Sequence, residues 1–335
     1  DMGKPGQAGV SVVWEGSIET ATAGLHKFRL YSSGYTKVTI NGKLVAMPYY
    51  ADAGMLFYRT DLLKPYGFSG PPATWTELER MATAIQAGER RRIPDFSGFV
   101  WQGAAYEGLT CNALEWQASH GGGEIFNPAT GAADVANGRA IAAFGRAAAW
   151  VGTISPQSVL NFQEEDARKH FQAGKAAFMR NWPYAYAAGN AEDSPIQGRF
   201  EVAPLPRDES SEHGAATLGG WQLGVSAYSA NRQAAIAFVK YMASPEVQKW
   251  RAIEGAFLPA RRAVYDDPAV MGAAGFFATA PAVLELAVAR PSSRTQEAYG
   301  RVSRTYHGGV HRILTGAPAA PTAQAMQREL QALIK

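Results

Sequence analysis

The sequence predicts an α/β architecture. Three observations carry that expectation: short apolar runs recur along the chain, segments with recognisable helix starts stand between them, and no linker-like composition breaks the alternation. At roughly 150 residues per domain, 335 residues correspond to about two domains. An apolar fraction of 47% supplies an ordinary core and excludes a disordered chain.

The elements follow in order. Val10 to Trp14 reads as a buried opening strand, followed by the polar, small-residue stretch Glu15 to Ala23. Asn41-Gly42 is a tight-turn signal, and the run Leu44 to Pro48 after it reads as a strand. Gly54 to Arg59 is a second strand. Thr74 and Glu77 form a capping box, each satisfying an amide the other end of the turn leaves open. Trp75, Leu78, Ala82 and Ile85 then recur at helical spacing and define a buried face. Arg90, Arg91 and Arg92 read as the solvated end of that helix. Ser97 to Gln102 is a strand. Leu109 to Ser119 is a helix stopped by Gly121-Gly122-Gly123, Ala136 to Val151 a second, and Glu164 to Gln172 a third. Ala176 to Arg180 and Thr217 to Ser226 are strands. Arg232 to Met242 is a helix, Ser244-Pro245-Glu246 caps and opens the next, and Ala317 to Lys335 is a C-terminal helix.

Composition removes several functions. A net charge of +3, scattered along the chain, argues against nucleic acid as a partner. The single cysteine, Cys111, leaves neither an internal disulfide nor a paired-cysteine zinc site. No apolar stretch reaches the roughly 18 residues of a membrane helix, since Arg146 interrupts the best candidate, Ala140 to Val151. The N-terminus, Asp1 to Pro5, has no apolar signal region. Dinucleotide, Walker, HExxH and GxSxG signatures are absent. His307 and His311 have the spacing of a metal pair, but Gly308-Gly309 between them and the lack of a third ligand argue against metal, and no cofactor is expected. Glu164-Glu165-Asp166 reads as a solvated first helical turn.

What remains is a set of aromatic residues beside hydrogen-bonding groups, where strands begin or end. The clusters are Tyr49-Tyr50-Ala51-Asp52, Trp101-Gln102-Gly103 with Tyr106-Glu107, Asn181-Trp182-Pro183-Tyr184, and Gly219-Gly220-Trp221. Open α/β sheets place ligands at strand ends. A sugar stacks its C–H face on Trp or Tyr while its hydroxyls pair with carboxylates, amides and guanidinium groups.

At these residues the chain resembles the extracellular solute-binding proteins of ABC sugar importers, the maltose-binding-like group, and within it the trehalose/maltose-binding branch. The resemblance runs from about residue 40 to the C-terminus. It rests on Asn41-Gly42-Lys43-Leu44, Asp52 to Leu63, Pro71 to Trp75, Gly98 to Gly103, Tyr106 to Leu109, Asn181 to Ala185, Val202 to Pro206, Thr217 to Trp221 and Ala289-Arg290-Pro291. It implies a two-lobe periplasmic-binding-protein fold with hinged, discontinuous lobes. Residues 1–50 with 217–263 would form the N-terminal lobe, and 51–216 with 264–335 the C-terminal one. Tyr50 and Asp52 would face the cleft, Trp182 and Tyr184 would form a sugar platform, Gly220 and Trp221 would add a backbone contact and a second stacking surface, and Arg290 would offer a planar fork. Tyr106 and Glu107 join that set.

By the same resemblance the protein is a monomer outside the cytoplasm, periplasmic or lipid-anchored. It captures an α-linked disaccharide, trehalose or maltose, by hinge closure and hands it unchanged to ABC permease subunits. Only Trp14 to Ile40 separates the first strand from the Asn-Gly-Lys-Leu block, where the family has about two more βα units of roughly 30 residues. An incomplete N-terminal lobe is therefore expected, with Glu19 the one match to the family's acidic group near the first strand. The rival readings are a glycoside hydrolase, whose carboxylate pair would be Asp52 and Glu107, and a solute binder for a charged ligand.

Overall fold

The computed structural model describes residues 38–40, 43–226 and 228–334. The expected Val10–Trp14 strand, the stretch from Glu15 to Ala23, Glu19 and the Asn41-Gly42 turn lie outside them.

Two sheets organise the described chain. A three-stranded antiparallel sheet has the order β1 (Val38–Ile40), β2 (Lys43–Ala53), β7 (Leu218–Gly224). A four-stranded sheet has the order β4 (Ser97–Val100), β5 (Ala176–Asn181), β3 (Met55–Arg59), β6 (Phe200–Ala203). Only β4 and β5 are parallel; β3 runs antiparallel to both its neighbours. Gly54 alone separates β2 from β3, so one extended run of chain passes from the first sheet into the second. A side chain at Gly54 would run into the Glu115 carboxylate and the Arg180 guanidinium, which makes this crossing a glycine position.

The four-stranded sheet is covered on both faces. Leu56, Phe99 and Phe178 point into one core, shared with the helices Trp75–Glu89, Glu107–Ser119, Gly138–Trp150, Tyr299–Leu314 and Ala319–Leu333. Met55, Phe57 and Met179 point into the other, with Phe171, Phe200 and Phe276. Burial on both sides explains why these strands read as unbroken apolar runs instead of alternating ones. Ala252, Ala256 and Leu258 join this second core, although the sequence places them with the first lobe.

Local signals set most boundaries. Thr74 and Glu77 make the full capping box at the start of Trp75–Glu89. The Ser244 hydroxyl accepts from the Val247 amide at 3.3 Å, with Pro245 in the first turn. The Arg90–Arg92 run is exposed, as expected of a helix end. The antiparallel pairing of β1 with β2 fits the hairpin read at Asn41-Gly42, whereas sequence reading missed β6, several short helices and the helix Tyr299–Leu314, which runs straight through Gly308-Gly309. Gly309 is where Met326 of the C-terminal helix packs close, and no described residue packs against Gly308. No described helix is long and apolar enough to cross a membrane.

Candidate functional site

The ribbon of β2 and β7 presents one face built from predicted residues. Tyr50 is in register with Trp221, Ala51 with Gly220, and Asp52 with Gly219. Side chains two apart share a face of a strand, so Tyr50, Asp52 and Trp221 lie together. The Tyr50 and Trp221 ring centroids are 6.4 Å apart, and Trp221 is 62% exposed. Gly220 has φ +143°, and a Cβ there would meet the Tyr50 carbonyl oxygen at 2.8 Å, so the close pairing of the two strands depends on glycine. Behind Tyr50, the Arg251 guanidinium lies 3.6 Å from the Tyr49 ring centroid and 4.3 Å from that of Phe257.

Trp182, just after β5, closes on this face. A Cβ at Gly219 would lie 3.1 Å from the Trp182 ring and 3.0 Å from the Asp52 Cβ, so the indole and the carboxyl flank the same glycine. Arg180 supports the indole from behind, its guanidinium 4.1 Å from the ring centroid. Arg180 is itself fully buried. It forms a forked pair with Glu115 (Nε to Oε2 2.8 Å) and donates to the Gln102 side chain at 3.0 Å. Glu115 also accepts the Thr217 amide at 3.1 Å, at the entry to β7. One buried ion pair thus touches the crossing at Gly54, the start of β7 and the back of Trp182.

Sequence reasoning missed Glu164. Read as one of three solvated carboxylates, it is instead half-buried: Tyr106 donates its hydroxyl to Oε2 at 2.7 Å and Trp182 its indole N–H to Oε1 at 3.4 Å. Its neighbours keep the expected roles. Glu165 accepts from Tyr184 at 2.8 Å and from Arg168, and Asp166 caps the helix through the Gln163 amide at 2.9 Å. Burial, then the adjacent carboxylates, push the Tyr106 and Tyr184 hydroxyls far above the usual tyrosine range. Spacing along a helix could not have revealed Glu164, because its partners arrive from Tyr106 and Trp182.

Asp52 is 6% exposed, and among the described residues its Oδ1 has no hydrogen-bond partner. Burial raises its pKa to about 8; Arg180 and Arg251 pull the other way and Glu164 adds to the rise. An unsatisfied buried carboxyl costs stability, so this atom is suited to a ligand that brings a partner.

Two predicted residues sit together behind the start of β7, bonded to each other. Arg290 Nη1 donates to Glu107 at 2.7 Å and Nη2 to the Leu218 carbonyl at 3.3 Å. Glu107 also accepts from Ser303 at 2.5 Å and from Tyr299. Trp101 and Gln102 correct the aromatic-cluster reading. Both are fully buried: Trp101 packs edge-on to Trp116 and donates to the Ser155 hydroxyl at 3.0 Å, and Gln102 donates to the Arg180 carbonyl at 3.0 Å. Trp101 and Gln102 are core, while Tyr106 and Glu107 of the same cluster stay half-buried. Among the described residues no group of three His, Cys, Asp or Glu side chains is placed to hold a metal.

Two sheets joined by extended strands, with an aromatic and acidic face at the junction, define a hinged α/β binding protein. The chain belongs to the bacterial extracellular solute-binding proteins, whose family model matches residues 19–249. A probable ABC transporter-binding protein of Deinococcus radiodurans is 47% identical over 293 residues, covering 87% of this chain and 69% of that one. Maltose-bound T. maritima MalE3 superimposes with a TM-score of 0.80 at 39% identity, over 88% of this chain and 74% of the other. The GacH receptor of Streptomyces glaucescens, at 24% identity and TM-score 0.72 over 88% and 72%, shares the fold. The chain is accordingly a solute-binding protein and not an enzyme, which sets aside the glycoside hydrolase reading.

Proposed function

We propose that the solute is an α-linked disaccharide, maltose or trehalose, captured by closure about the β2/β7 hinge and passed unchanged to the permease of an ABC importer. The observation that carries this reading is the single face formed by Tyr50, Asp52, Trp221 and Trp182 at the junction of the two sheets. Indole and phenol rings offer stacking area to pyranose C–H faces, and the unpartnered Asp52 carboxyl awaits a hydroxyl. The maltose complex of a 39% identical relative supports a sugar of this size. Tyr106 and Tyr184 complete the platform of the C-terminal lobe, residues 51–216 with 264–335, while residues 1–50 with 217–263 supply the opposing lobe. Glu107 and Arg290 act from behind, holding the entry of β7 in place. Because the ligand touches both lobes, it stabilises the closed form.

Calorimetric titration with maltose, trehalose, a polyamine and inorganic phosphate tests the reading. A neutral disaccharide should bind and the charged solutes should not. Trp182→Ala should weaken that binding about a hundredfold, roughly 2.7 kcal/mol, as truncation of a central aromatic anchor does. Disaccharide binding of unchanged strength in that variant removes Trp182 from the site.

A further inference from the structure

Among the described residues, each arginine near the proposed site already has a partner. Arg180 is forked onto Glu115, Arg290 is bonded to Glu107, and Arg251 is packed among Tyr49, Tyr50 and Phe257 with Nη1 3.4 Å from the Tyr49 carbonyl oxygen. Glu164 is different. Both of its oxygens accept from neutral donors, the Tyr106 hydroxyl and the Trp182 indole, and no described residue forms a salt bridge with it. Its backbone carbonyl also accepts from the Asn181 side chain at 3.1 Å, which ties the start of its helix to the end of β5. The first helical turn favours the negative charge there.

We infer that Glu164 is the positioning carboxylate of this platform: it fixes Trp182 and Tyr106 relative to each other and keeps a negative charge on the cleft wall that turns away acidic sugars. This rests on the carbohydrate reading above. Indole N–H and phenol O–H groups bonded to one carboxylate hold a defined angle without contributing a charge of their own, so the platform is set before a sugar arrives. An anionic group on the ligand would meet Glu164 across a partly dehydrated gap, with no free cation among the described residues facing it to offset the repulsion.

Maltitol and maltobionate provide the probes, since they share one skeleton and differ in a hydroxymethyl against a carboxylate. The intact chain should bind maltobionate at least about tenfold more weakly than maltitol. Glu164→Gln, which keeps the shape and removes the charge, should bring the two affinities within about threefold of each other. Glu164→Asp, which keeps the charge on a shorter arm, should retain the discrimination. Positioning is read without any ligand: the near-ultraviolet circular dichroism of the intact chain should differ from that of Glu164→Gln, and the difference should vanish in a Trp182→Phe background. A preserved maltitol-to-maltobionate ratio in Glu164→Gln overturns the inference, and so does a dichroism difference that survives the loss of Trp182. If the intact chain binds no neutral sugar, the carbohydrate reading fails, and the dichroism comparison still decides the role of Glu164.

Discussion

The two sheets of this protein differ sharply in how they are held. In the four-stranded sheet, β4 and β5 are buried along their whole length and both faces are covered. In the three-stranded sheet, β7 begins buried at Leu218 and Gly219 and ends exposed, and among the described residues the helix Arg232–Met242 has none buried. Tyr228, Phe238, Tyr241 and Trp250 are each more than half exposed on that side. Among the described residues, one region is packed on both faces, and the other meets few partners beyond the ladder between β2 and β7. A platform must keep its rings in place, whereas the strands joining two lobes must bend at low cost. The proposed ligand face lies at the boundary, with Trp182 beside the four-stranded sheet and Trp221 on the three-stranded one.

The largest expected effect tests the four-stranded sheet. Glu115→Ala leaves Arg180 charged and unpaired in the core and deprives the Thr217 amide of its acceptor, which should cost about 3–5 kcal/mol in denaturant unfolding. An unchanged unfolding midpoint would mean that the pair does not brace the sheet. Next comes Asp52 at the boundary. Its folded pKa is raised to about 8, so between roughly pH 4 and pH 8 the unfolded chain has released this proton while the folded chain keeps it. The stability this group contributes is complete below that window and is lost as pH rises through it. Asp52→Asn should therefore flatten the fall in melting temperature toward alkaline pH, with a gain on the order of 2 kcal/mol near pH 8. Superimposable pH profiles for parent and variant would show that Asp52 is not held protonated. The smallest effect belongs to the open side. Phe238→Ser should change stability by less than about 0.5 kcal/mol. A loss above about 1 kcal/mol would show that this face is covered in solution, and the contrast between the two regions would narrow.

Much of the local structure was legible because it is locally caused. The Thr74–Glu77 box, the Ser244-Pro245 start and the apolar runs of β2, β3, β5 and β7 depend on neighbours a few residues away. The aromatic clusters were legible only as a class. Trp101 and Trp182 both follow a buried strand beside a hydrogen-bonding side chain, yet one packs on Trp116 in the core and the other borders Asp52 and Gly219. Nothing local separates them, because the difference is which helix lands on top. Glu164 was hidden for the same reason: its partners lie 58 and 18 residues away along the chain.

The sequence alone determined the α/β class, the starts of the longer helices before residue 260 and the family resemblance, since each rests on short-range chemistry or on text that can be matched directly. Tertiary structure decided which aromatics line a surface and which fill the interior, that Arg290 and Glu107 are spent on each other, and that Asp52 is left buried with an open oxygen. Those outcomes depend on long-range packing, in which burial and partner distances are set by segments that meet only after the chain has folded.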